Sequence, residues 1–356
     1  MRKTVLYVLI LAILGIGVYF FLGNSKGSGT NPYGPEADFT IADTAAIGKI
    51  YLAANDGSDI TVERTDSGWM VNRQYHVLRS TLYQLLGTFT KQQALYPVTQ
   101  KAHDNVVKDM SASNIKVEVY DRTGKKMKVF YVGGTAVNEA GTNMLMDGAE
   151  TPYVVHAPGF VGYLTPQYAT RLQDWRDRTV FDLPAQEIKT ISVSYAGNPK
   201  NSFVVNQENG QVTVTADKEI MDSKDGLNMS RAKMYLRFFG NINCEGYING
   251  LPDNDTTLKT APRQSTIDIT GIHGQHQHAE IFWLAINKRS KNQMTNDGNT
   301  TEIPDGYDAD RLYAVINNAK DTVVIQQFAF RNIFRKAHEF YTKDVATNKP
   351  APPVGM

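Results

Sequence analysis

The chain of 356 residues has one cysteine, Cys244. A single thiol closes no disulfide within the chain, so the fold has to rest on packed apolar cores, and a chain of this length can build them. No cysteine follows the N-terminal apolar run either, which excludes a lipid-modified anchor. Excess charge of one sign is equally scarce. There are 37 Lys and Arg against 36 Asp and Glu, with no long block of either. That balance argues against a nucleic-acid surface and against electrostatic adhesion to lipid. No Gly-x-Ser-x-Gly elbow occurs. Gly133-Gly134-Thr135 and Gly15-Ile16-Gly17 lack the strand–turn–helix context that a phosphate loop needs. Asp308 and Asp310 sit in a polar stretch and read as solvated. No catalytic, cofactor-binding or metal-ligating residue is assigned, no cofactor is expected, and the chain does not read as an enzyme.

What is present begins at the N-terminus. Met1-Arg2-Lys3-Thr4 precedes an almost unbroken apolar run over residues 5–22, about 18 long and enough to cross a bilayer core. The run ends Val18-Tyr19-Phe20-Phe21-Leu22, bulky where signal peptidase needs small side chains. An uncleaved transmembrane anchor over residues 1–24 is expected, with a cleaved signal as the alternative. Arg2 and Lys3 should stay cytoplasmic, which places the body outside; Lys26 on the far side is a weak counterweight. The expected setting is the bacterial cytoplasmic (inner) membrane, with the body in the periplasm. Residues 25–36, rich in Gly, Ser, Asn and Pro, read as a flexible tether.

The rest states one pattern twice. Strands at Lys49-Ile50-Tyr51-Leu52 and Ile60-Thr61-Val62 are followed, past a turn at Ser67-Gly68, by Trp69-Met70-Val71. Their counterparts are Thr190-Ile191-Ser192-Val193, Phe203-Val204-Val205 and, past Asn209-Gly210, Val212-Thr213-Val214. A helix follows in each half, with Leu78, Leu82, Leu85, Leu86 and Phe89 on one face in the first and Met229, Ala232, Leu236 and Phe239 in the second. Next comes a hairpin: Val117-Glu118-Val119, Gly124 and Val129-Phe130-Tyr131-Val132 match Ile267-Asp268-Ile269, Gly274 and Ile281-Phe282-Trp283-Leu284. Each half then closes on an aromatic segment, residues 160–164 and 328–334. An offset of about 140 to 170 residues indicates duplicated domains, not a solenoid. The expected fold is α+β: two duplicated, mostly antiparallel sheet-plus-helix domains over residues 37–173 and 187–343, joined by a junction at 174–186 and ending in a mobile tail at 344–356. Trp175 and its flanking arginines read as junction packing. The long polar stretch 287–310 reads as a segment that a partner could order.

One cluster invites a metal. His273, His276 and His278 lie within Gly271-Ile272-His273-Gly274-Gln275-His276-Gln277-His278, and imidazole suits zinc or copper. His276 and His278 alternate along a strand and share a face, while His273 falls in the turn. No carboxylate or cysteine nearby completes a tetrahedral set. The first half has an ordinary polar turn in the same place, so the histidines read as solvated turn residues.

Several segments together resemble the bacterial domain-of-unknown-function family 4340. They are Trp69-Met70-Val71-Asn72 with Tyr75, Tyr131-Val132-Gly133-Gly134-Thr135 and Gly141-Thr142-Asn143-Met144. Pro152-Tyr153-Val154-Val155-His156-Ala157-Pro158-Gly159-Phe160 and Asp174-Trp175-Arg176-Asp177-Arg178 complete the set. The resemblance implies a single-span or lipid-anchored envelope protein; some similar domains occur beside gliding-motility-type ABC transporter components. It implies no catalytic residues. The expectation is therefore an interaction or scaffold subunit of an envelope complex, with a tie to transport, secretion or gliding, whose partners are the bilayer and other envelope proteins, with no nucleic acid. The alternative is an extracytoplasmic hydrolase, or a module that binds a small ligand or metal in a cleft between the two domains.

Overall fold

The structure is a computed structural model that describes residues 33–137, 139–249, 258, 260–286, 290, 303–317 and 319–342. The expected anchor, most of the tether, most of the polar stretch 287–310 and the tail lie outside these residues. Among the described residues no helix is long and apolar enough to cross a membrane. The chain divides into two compact units, one ending at Asp177 and the other starting at Arg178.

Unit 1 is built on an antiparallel sheet. Its strands are β1 (Ile47–Ala54), β2 (Asp59–Thr65), β3 (Gly68–Val71), β4 (Tyr75–His76), β5 (Gln93–Pro97), β6 (Ile115–Asp121), β7 (Lys126–Thr135), β8 (Thr142–Met146) and β9 (Tyr153–His156). Helices α1 (Arg79–Lys91) and α2 (Gln100–Ala112) flank β5 in sequence. The spatial order is β4-β3-β2-β1-β6-β7-β8-β9-β5. Alternation does what a half-buried sheet requires: Ile50 and Leu52 of β1 and Val117 and Val119 of β6 are fully buried, while Tyr51, Glu118 and Tyr120 face the other way. Helix α1 lays Leu82, Leu85 and Phe89 on the buried face of the sheet. Phe39, Phe89 and Tyr168 surround Phe130 with ring centroids 5.9, 6.4 and 6.1 Å from it. Trp175 is also fully buried and belongs to this core; its indole N–H donates to Ala169 O at 2.7 Å.

Unit 2 has its main sheet made of β11 (Ile188–Tyr195), β12 (Phe203–Glu208), β13 (Gln211–Ala216), β15 (Gly246–Tyr247), β16 (Arg263–Gly271), β17 (His276–Ala285), β18 (Tyr307–Ile316) and β19 (Asp321–Gln326), with β10 (Thr179–Phe181) and β14 (Ile242–Asn243) paired separately. Helix α3 (Met229–Leu236) precedes β14. The order β13-β12-β11-β16-β17-β18-β19-β15 repeats the β3-β2-β1-β6-β7-β8-β9-β5 of unit 1 strand for strand. The likeness reaches single hydrogen bonds. Ile41 N donates to Phe89 O at 2.8 Å, and Leu183 N to Phe239 O at 3.0 Å. A register shift interrupts β1–β6 between Ile47 and Lys49, and β11–β16 between Ile188 and Thr190. Arg122 N donates to Ala46 O, and Ile272 N to Glu187 O. Mostly antiparallel sheets with a few helices are therefore what the chain forms.

Several expectations change in detail. Ile115 opposes Val132 and Ser265 opposes Ile281, so Val132 corresponds to Ile281 and not to Leu284. Leu78 lies just before α1, and Met229 is exposed, while Tyr235 supplies the buried face of α3. The two closing segments differ: Phe160, Val161 and Tyr163 are exposed, whereas Phe330 and Ile333 are buried. Asp308 is buried, not solvated. Its Oδ1 accepts from Asp310 N at 2.8 Å and Arg311 N at 2.9 Å, and its Oδ2 accepts from the Ser290 hydroxyl. The start of β18 turns around it.

Candidate functional site

Unit 1 holds a cleft of about 460 Å³ where the end of α2, the β1–β2 turn and the β7 backbone meet. The sequence sets its walls locally. Helix α2 stops at Ala112, and Asn114 folds back to donate its amide to Met110 O at 2.7 Å. Asn55 donates Nδ2 to Ser111 O at 2.9 Å, so the last carbonyls of α2 are held by side chains from two directions. In the β1–β2 turn, Asp56 Oδ1 accepts from the Ser58 hydroxyl at 2.6 Å and from Ser58 N at 2.8 Å. Those two bonds, the hydroxyl first, hold its carboxyl below the usual carboxylate range. The Ser58 hydroxyl also lies 2.7 Å from that of Thr170, and Thr165 donates to Gly133 O at 2.6 Å.

The floor is Gly133 and Gly134. A Cβ on Gly133 would stand 2.7 Å from Met110 Cγ and 3.0 Å from Asn143 O, so helix and strand approach there as closely as they do because the side chain is missing. Gly134 also lines the cleft, and a Cβ there would meet no heavy atom within 4 Å. The repeat shows what this smallness does. By register, Ala54, Gly133 and Gly134 correspond to Tyr195, Phe282 and Trp283 of unit 2. Tyr195 and Trp283 pack against the unit 2 core, and the Tyr195 hydroxyl donates to Arg335 O at 2.8 Å. The same fold is thus filled with aromatic side chains in one unit and left open in the other.

Chemically the cleft is polar. It offers hydroxyls, amides and main-chain groups, one ionised carboxylate, and the negative end of the α2 dipole. No lysine, arginine, histidine or cysteine is among the described residues lining it. The combination suits a polar or amine-bearing segment better than an anion.

The histidine hairpin folds as the sequence suggests, but its surroundings differ from the expectation in one respect. Its turn, residues 271–275, does correspond to residues 121–125 of unit 1: Gly274 N donates to Gly271 O at 3.2 Å, and Gly124 N to Asp121 O at 3.1 Å. His273 lies there, exposed, with its main-chain N–H on Gln275 Oε1 at 3.0 Å. Yet a carboxylate does stand beside the other two. Asp268 lies opposite His278 across the ladder, its Oδ1 2.7 Å from His278 Nδ1 and 3.4 Å from His276 Nε2. Counting along the chain misses it, because Asp268 and His278 meet only through the hairpin register. Among the described residues no group of three or more His, Cys, Asp or Glu surrounds an ion-sized centre.

The segments that carry the family resemblance hold the fold of unit 1. Asn72, at φ 51°, accepts Thr61 N on its Oδ1 at 2.8 Å. The Thr142 hydroxyl accepts Leu164 N at 2.6 Å. Arg176 stacks on Tyr75 with its guanidinium 3.7 Å from the ring centre.

Residues 101–264 match the family model described as "Domain of unknown function (DUF4340)". The matched stretch runs from the first turn of α2 to the start of β16, across the division at Asp177, and takes in most of the cleft but not the histidine hairpin. No curated protein and no solved structure matches the chain.

Proposed function

With the resemblance to DUF4340 shown over residues 101–264, we propose that this chain is a membrane-tethered interaction subunit of a bacterial envelope assembly, and that the unit 1 cleft receives a segment of its partner. The observation that carries the proposal is the contrast between the units. The same strand order is kept in both, but small residues open in unit 1 what Tyr195 and Trp283 occupy in unit 2. We read the two units as duplicates of one fold that have diverged, one toward packing and one toward recognition. The apolar run of residues 5–22 supports tethering, with the body outside the cytoplasmic membrane. Sheet domains held at a surface are suited to presenting such a recess to an extended peptide.

The test is photo-crosslinking in intact cells that express the full chain. A photoreactive amino acid at Ser113, exposed on the cleft rim, should give one discrete heavier adduct, and Gly134→Trp should abolish it. A probe at exposed Gln211 of unit 2 should give none that Gly134→Trp removes. A Ser113 adduct that survives Gly134→Trp, or no adduct, overturns the proposal.

A further inference from the structure

We infer that Phe160, Val161 and Tyr163, with Val137 beside them, form an apolar tip that seats in the headgroup layer of the membrane holding the chain; this rests on the tether reading above. Val161 is 98% and Val137 97% exposed, and the two aromatic side chains stand half exposed. Large apolar side chains left open in this way, and gathered at one place, mark a contact surface. The charge pattern agrees: no Asp, Glu, Lys or Arg occurs between His156 and Arg171.

The tip is held firmly. Phe160 N donates to Ala157 O at 3.0 Å around Pro158 and Gly159, the latter at φ 80°, as in a type II turn. Ala157 and Leu164 are buried at its two feet, and Leu164 N donates to the Thr142 hydroxyl at 2.6 Å. Phe160 and Val161 are therefore displayed on a fixed backbone, and seating them orders little further chain. The β7–β8 connection opens at the same end of the sheet, because Thr142 faces Thr135 on one side and Val155 on the other. That connection carries Val137. The fold does not require such exposure, since the closing segment of unit 2 buries Phe330 and Ile333.

The occupant follows from where the chain enters unit 1. The Tyr33 hydroxyl donates to Leu95 O at 3.1 Å, and its ring centre lies 5.8 Å from that of Tyr153. Tyr153 opens β9, whose other end leads into the tip about 10 Å further on by strand rise. The apolar run ends at Leu22, and the links from there to Tyr33 span at most about 40 Å. A bilayer that holds residues 5–22 is thus within reach of the tip, and aromatic side chains suit its interface. The tip has no Lys or Arg, and Glu139 is exposed on the β7–β8 connection. The attraction is accordingly apolar and does not call for anionic lipid.

The test uses the full chain in a Cys244→Ala background, reconstituted in phosphatidylcholine nanodiscs. An environment-sensitive fluorophore is placed on Val161→Cys or, as control, on Thr123→Cys in the β6–β7 turn at the opposite end of the sheet. At Val161 aqueous iodide should quench roughly 5-fold less than at Thr123, in low and high salt alike, and a lipid carrying a shallow nitroxide should quench more. With the label on Val137→Cys, adding Phe160→Ser and Val161→Ser should restore iodide quenching. Carbonate extraction of cell membranes checks the tether separately. A chain released by carbonate overturns the tether and the seat together. A retained chain with equal quenching at Val161 and Thr123 overturns the seat alone. Protection in native membranes but not in nanodiscs assigns the tip to a protein partner and also overturns the seat.

Discussion

Replacing Tyr168 by phenylalanine removes one hydroxyl from the interior of unit 1 and leaves the ring in place. That hydroxyl donates to Gln92 Oε1, and both residues are fully buried. Gln92 in turn donates Nε2 to Phe39 O at 2.6 Å and N to Thr88 O at 2.8 Å, and accepts the Thr40 hydroxyl on its main-chain O at 2.8 Å. The glutamine therefore ties the end of α1 to the segment that leads in from the N-terminus. Tyr168→Phe strips Gln92 Oε1 of this partner in a site closed to water, at a cost of about 1–3 kcal/mol. Gln92→Leu strips two groups, Phe39 O and the Tyr168 hydroxyl, and should cost about twice as much. In the double variant only Phe39 O is left, so the two effects should fall short of additive by the cost of two unpaired groups, about 2–3 kcal/mol. The assay is urea unfolding with hydrogen exchange read on unit 1 peptides, which separates this unit from its neighbour. Strict additivity, or a Gln92→Leu cost no larger than that of Tyr168→Phe, would falsify the closed network.

Gly133→Ala should destabilise unit 1 by about 1–3 kcal/mol, because the new methyl meets Met110 and the Asn143 carbonyl, while Gly134→Trp should melt within a degree or two of the parent. Gly141→Ala should be worse than Gly133→Ala: its Cβ would stand 2.4 Å from Val155 O, a main-chain atom that cannot rotate away, and soluble yield at 37 °C reads the difference. Burial pushes the Tyr168 and Tyr235 hydroxyls up from their ordinary value of 10.0. The folded chain then keeps protons that the unfolded chain releases, so stability holds below about pH 10 and falls above it by about 1.4 kcal/mol per pH unit for each such tyrosine. Melting from pH 9 to 11.5 should show this decline, shallower for unit 1 in Tyr168→Phe. Asp308→Ala should release the start of β18, seen as faster exchange at Asp310 and Arg311, whose amides it accepts.

The repeat and most of the alternating strands were legible in the sequence, because hairpins such as β6–β7 and β16–β17 are local and carry a period of two. The short strands β5 and β15 were not: five and two residues hold too little alternation to stand out. The buried Asp308 was misread for a related reason. Its neighbours are polar, and only the folded turn shows that it accepts their amides. The cleft needed three distant pieces, Ala54, Ala112 and Gly134, whose nearness exists only after β1, β6 and β7 align. Asp268 was the closest miss. The turn over residues 271–275 was recognised, and pairing outward from it sets Asp268 against His278.

The shared strand order also dictates when each unit can finish folding. After its opening strands and the helix, the chain runs to the far edge and lays down β5 or β15 with no neighbour yet made. The partner comes last: Gln93 waits for His156, and Gly246 for Val324. The intervening meanders form from local contacts, but the edge is sealed only by this long loop closure, which is slow compared with hairpin formation. A nascent chain interrupted before Tyr153 therefore has the strands from β4 to β8 available to one sheet and an unpaired β5. Each unit becomes resistant to proteolysis in one late step, when its final strand arrives.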